Sequence, residues 1–157
     1  MRSLEHQNQT TKTTMKKEKG ILMDQLMQRA SLALNEGFYL ETILICSIIL
    51  EERIYSINAK FDSKLPKKKE DSRKTLGVLL KDFKKHRVTD IVLKAQVSDE
   101  LLNEMDWVKE FRNSITHALL NEGLIKVNKD LERVAKLAYD TTNAFRAGIR
   151  RWKKKVN

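Results

Sequence analysis

The chain of 157 residues holds one cysteine, one proline and five glycines, and only 6% of it is aromatic. A single cysteine, Cys46, excludes an internal disulfide and a cysteine-based zinc site. It lies in an apolar run, where it reads as a small buried hydrophobe rather than a nucleophile. So little Pro and Gly, among many Leu, Ile, Lys and Glu, favours helix over sheet. The longest apolar run, Thr42 to Leu50, falls well short of the roughly 20 residues a membrane-spanning helix needs. The N-terminus is polar and has no apolar signal-peptide core. A soluble cytoplasmic protein without membrane association is expected. Also missing are a Gly-rich phosphate loop, a Cys/His metal spacing, a Ser-centred nucleophile elbow and any internal repeat.

Acidic residues are scarce relative to basic ones: 21 Asp and Glu stand against 31 Lys and Arg, a formal net charge of +10. This balance fits an acidic partner, most simply nucleic acid. The apolar share of 41% is ordinary for a globular protein, and the length suffices for one domain with a real core. Residues 1–19 read as a polar, basic segment that is flexible or a frayed helix entry. Residues 20–157 read as a single helical domain.

Periodicity places the helices. Ile21 to Asn35 has helical apolar spacing and ends at Asn35-Glu36-Gly37, with Gly the usual residue for a left-handed cap. Phe38 to about Lys60 is apolar on almost every side and reads as buried all round, either central in a bundle or meeting a second subunit. Its β-branched run leaves a buried strand as the fallback. Phe61 to Arg73 holds the only Pro and reads as an exposed basic loop. Thr75 to Phe83 and Val88 to Ala95 are short helices. Between them His86 lies in a basic turn with no obvious partner and reads as surface. Ser98-Asp99-Glu100 caps a helix that runs to Asn121. Leu119 to Asn128 contains a turn at Gly123, and Lys129 to Trp152 is the last long helix. The fold expected is all-α, an antiparallel bundle of four long helices with one or two short ones.

The hexapeptide Arg112-Asn113-Ser114-Ile115-Thr116-His117 carries the chemistry. At about 100° per residue, Leu101, Val108, Phe111, Ile115, Ala118 and Leu119 form the core stripe of its helix. Arg112, Thr116, Asn113 and His117 fall around an opposite arc of roughly 140°. Asp106 lies two turns before Asn113 on the same side, and Glu110 lies at its margin; with Thr116 they are supporting candidates. A guanidinium holds phosphate oxygens bidentately. An imidazole moves protons near neutral pH. An amide orients either. The set requires no metal or other cofactor. A polar helix face with Arg and His is commonplace, but Arg-Asn followed by His at this spacing is expected by chance only about 0.01 times in such a chain.

Arg-Asn-x-x-x-His near the start of the last third of a small all-helical chain resembles the signature of HEPN domains. The resemblance spans roughly Ile21 to Trp152 in helix order, and its specific residues are Arg112, Asn113 and His117. Many HEPN proteins are metal-independent endoribonucleases of toxin–antitoxin or antiviral systems. In one HEPN subgroup a Tyr two positions after the His is modified by a partner; this chain has Leu119 there, so that regulation does not carry over. One His and one Arg are few for acid–base cleavage of RNA, and two chains meeting at this face double the set. The resemblance implies the same: a two-fold homodimer with both motifs lining one cleft. The expected reaction is attack of a ribose 2′-OH on the neighbouring phosphorus, with His117 moving protons, Arg112 stabilising the phosphorane oxygens and Asn113 orienting.

Further RNA contacts are expected from Lys67, Lys68 and Lys69 in the basic loop, Lys126 beyond the motif, and Arg146, Arg150 and Arg151 in the last helix. A solvated loop and ordinary helix-end charges are the plain alternatives for these residues. The competing functional readings are a non-catalytic HEPN-like RNA-binding or adaptor subunit, and an interaction bundle within a defence or regulatory complex. An antitoxin or defence-complex protein would be its partner.

Overall fold

A computed structural model describes the backbone of residues 2–62, 74–121 and 130–156. Side chains are described for residues 18–62, 74–115, 117 and 130–156. The described residues form six helices and no strand: α1 Arg2–Asn35, α2 Tyr39–Phe61, α3 Leu76–Thr89, α4 Ile91–Gln96, α5 Asp99–Asn121 and α6 Leu131–Val156. The β-branched run of α2 is helical, and its strand fallback is set aside. Helix α1 takes in residues 2–35, so the helix runs through the polar leading segment. Helix α3 extends six residues past Phe83. Among the described residues no helix is long and apolar enough to cross a membrane.

Helix α1 stops where the glycine stands. Gly37 has φ +83, and Phe38 N–H donates to Ala33 O at 2.7 Å while Gly37 N–H donates to Leu34 O at 3.3 Å. This bonding pattern satisfies the last carbonyls and turns the chain back. Helix α2 is then the hub, packing against α1, α3, α5 and α6. Ile43, Cys46, Ile49, Leu50, Ile54 and Ile57 are buried in it. Small polar residues allow close approach because they find backbone acceptors: Thr42 Oγ1 donates to Phe38 O at 3.2 Å and Ser47 Oγ to Ile43 O at 2.8 Å. The helix is not buried all round, however. Leu44, Ile48 and Tyr55 are 42%, 48% and 50% exposed. They lie on one side at four- and seven-residue steps, and Glu51 falls between them.

The far end is tied by polar contacts. Asp90 caps α4 by accepting from Leu93 N–H at 2.8 Å, and its second oxygen accepts from Trp152 Nε1 at 3.1 Å. Ser98 Oγ accepts from Leu101 N–H at 3.2 Å, capping α5 as its sequence implies. Arg87, buried, donates to Val97 O at 2.6 Å and to Asp99 Oδ1 at 2.7 Å, joining α3 to the start of α5. His86 is a correction to the expected lone surface histidine. Its ring stacks on Phe61 at 4.7 Å between centroids and its Nε2 lies 3.4 Å from Asp62 Oδ1. Those partners sit at the end of α2, remote in sequence.

Candidate functional site on helix α5

Helix α5 places the motif against α2 and α6. Met105, Val108 and Ile115 are buried at three- and four-residue steps, and Arg112 occupies the one step of that seam between Val108 and Ile115. Phe111 packs on the core beside it. Arg112 therefore does not stand on the outer face. Its side chain is 34% exposed, and its Nη1 lies 3.8 Å from Glu51 Oε2 on α2. Asn113 and His117 are exposed and, four residues apart, share the outward face with Cβ atoms about 6 Å apart. The motif is thus divided: an amide and an imidazole face outward, and a guanidinium is turned toward the neighbouring helix. The sequence arc ran from Arg112 to His117 without revealing that its first member meets α2. Glu51 is the residue that sequence reasoning did not connect to the motif, because the two are brought together only by the packing of α2 on α5.

The supporting carboxylates are engaged elsewhere. Asp106 Oδ2 pairs with Lys84 of α3, and Asp106 Oδ1 lies 3.5 Å from Lys109 Nζ. Lys109 also reaches Glu110 at 2.9 Å. Its hydrogen bond to Glu110 raises the Lys109 pKa, and the nearby Asp106 charge adds to this against partial burial. The Thr116 side chain lies outside the described residues, as do Lys67, Lys68, Lys69 and Lys126.

The last-helix arginines do not form one basic surface. Arg151 donates to Gln96 Oε1 at 3.0 Å on the α4 side. Arg146 and Arg150 face α1, where both approach Asp24 Oδ1, Arg150 at 3.4 Å. Arg146 is only 8% exposed, so it is placed between helices and not on the outer surface expected of a general phosphate contact. Arg53 of α2 belongs to the same group. Its pKa is lowered, first by burial and then by the charges of Arg146 and Arg150, with Asp24 opposing. Among the described residues no three His, Cys, Asp or Glu side chains converge as a metal site.

No protein-family model, curated protein or solved structure matches the chain.

Proposed function

We propose that the chain is a metal-independent endoribonuclease acting as a homodimer, each subunit contributing Arg112, Asn113 and His117 to one composite cleft, with a HEPN-like helix arrangement and a toxin or antiviral defence setting. The observation that carries the reading is that His117 and Asn113 are open on one face of α5 while Arg112 is a short swing away. A partly exposed ion pair at 3.8 Å is worth about 1 kcal/mol. A phosphate oxygen therefore competes for the Arg112 guanidinium, which takes it bidentately. One His117 removes the 2′-OH proton, the 2′-oxygen bonds to phosphorus, and the P–O5′ bond breaks. His117 of the partner subunit gives a proton to the departing oxygen. The products are a 2′,3′-cyclic phosphate and a 5′-hydroxyl, and DNA resists because it lacks the nucleophile. Arg112 neutralises charge on the non-bridging oxygens.

The position of Arg112 in the core-facing seam favours a second reading, a non-catalytic RNA-binding or adaptor subunit in which Arg112–Glu51 fastens α5 to α2. Labelled RNA incubated with the protein in EDTA separates the two. The nuclease reading expects cutting that His117→Ala and Arg112→Ala each reduce by a factor of at least about 100. It also expects Glu51→Gln to retain cutting, since that change removes a competing charge beside the guanidinium. RNA binding without cutting in the wild type gives the adaptor reading.

A further inference from the structure

The group at the junction of α1, α2 and α6 is separate from the motif on α5. Asp24 of α1 faces Arg146 and Arg150, which stand four residues apart on one face of α6. Arg53 enters from α2. Its charge acts on the same group from nearby without a direct contact to Asp24, so three guanidiniums share the neighbourhood of one carboxylate, an excess of two positive charges among these four side chains. Glu52, next to Arg53 in sequence, pairs with Lys19 at 2.6 Å. Both pairings of Asp24 go through the same oxygen, Oδ1. The Nε atoms of Arg53 and Arg146 are buried and find no acceptor among the described residues. A buried N–H left without an acceptor keeps its full desolvation penalty, which is larger on a charged group. Arg146 is more than nine-tenths buried while Asp24 and Arg150 are 57% and 65% exposed in their side chains. The cluster therefore sets buried donors without an acceptor beside an arginine and a carboxylate that reach solvent.

An anion that answers this arrangement needs several acceptor oxygens in a compact array and close to two negative charges. A phosphate monoester carries about −1.5 to −2 at neutral pH and three free oxygens. A chain-internal diester carries one charge and matches the excess less well. Guanidinium forks suit phosphate geometry better than ammonium groups do.

We propose that Arg53, Arg146 and Arg150 form a binding site for a phosphate monoester dianion, with Asp24 as the internal carboxylate that occupies the arginines until the ligand displaces it. The site stands on α1, α2 and α6 alone and is independent of whether α5 cuts RNA. Its ligand is inorganic phosphate, a mononucleotide or the phosphorylated end of an RNA, all sharing this chemistry.

The test is titration calorimetry and thermal unfolding of the full chain with inorganic phosphate, against sodium chloride at equal ionic strength. Phosphate is expected to bind and raise the melting temperature beyond chloride. Arg150→Ala, at an exposed position that leaves the fold intact by circular dichroism, weakens phosphate binding about tenfold, and Arg53→Gln does at least as much. Asp24→Asn strengthens binding, because the competing carboxylate is gone. His117→Ala leaves phosphate affinity unchanged, which keeps this result apart from any failure of the nuclease reading. Adenosine 5′-monophosphate and a short 5′-phosphorylated RNA then distinguish sources. Tighter capture of the RNA, displaced by inorganic phosphate, assigns an RNA end; equal affinities assign the free phosphate. Phosphate acting no differently from chloride overturns the proposal. So does an Arg150→Ala protein with wild-type affinity, or an Asp24→Asn protein that folds and binds more weakly.

Discussion

Cys46 and Arg112 show how far a single side chain is governed by what surrounds it. Cys46 is fully buried, and burial pushes its thiol up to about 11, against a small opposing hydrogen bond with Thr142. The folded state thus holds the thiol proton more tightly than the unfolded chain does. Its contribution to stability is complete below the unfolded value of 9.0 and is lost as pH climbs toward about 11, by on the order of 2 kcal/mol. Urea unfolding at pH 8 and at pH 10.5 should show the wild type losing more than Cys46→Ala over that interval. Iodoacetamide at pH 8 should label the unfolded chain and spare the native one. Arg112 was legible in the sequence as a phosphate-binding type of residue. Its neighbour Glu51 was not, because nothing local to either residue reports that α2 passes beside α5 at that height.

The last helix passes close against the end of α4. A Cβ added at Gly148 would lie 2.5 Å from the Gln96 carbonyl oxygen, a backbone atom that cannot swing away. Gly148→Ala is therefore expected to destabilise by about 1–3 kcal/mol, read as a lower urea midpoint. Gly20 lies within α1 with nothing inside 4 Å of such a Cβ. Gly20→Ala should stabilise by about 0.5–1 kcal/mol from helix propensity alone. The opposite signs separate a glycine kept for close approach from one that is merely tolerated. The helix boundaries themselves were readable from spacing and caps: the Gly37 stop and the Ser98 cap each rest on one residue and its immediate neighbours. The extension of α3 to Thr89 was harder to see, because Lys84, Lys85, His86 and Arg87 look like a charged turn. Arg87 is in fact held by the Val97 carbonyl and Asp99, and His86 by Phe61 and Asp62.

The whole molecule is asymmetric in what it leaves open. α2 carries the exposed stripe Leu44, Ile48 and Tyr55, in line with Glu51 and hence beside Arg112. The proposed composite site requires two chains, so sedimentation velocity on the full chain should give about twice 18.3 kDa at micromolar concentration. A monomer throughout the active range would remove the second His117 and with it the proton-relay scheme. Charge on α6 is divided too: its arginines split between the Asp24 side and the Gln96 side, so they do not form one continuous basic face.

The sequence by itself determined the all-helical class, the order of the long helices and the cap at each readable end. Those depend on propensity and period, which act within a few residues along the chain. It also determined which chemical groups α5 carries. Only the tertiary structure decided which of them remain open, because exposure depends on the helix that comes to lie alongside. α2 takes the Arg112 side of α5 and leaves Asn113 and His117 outward. α1 and α2 likewise enclose Arg146 beside Arg53, bringing Asp24 to an arginine 122 positions away. No local pattern reports that meeting, since it is settled by how three helices pack.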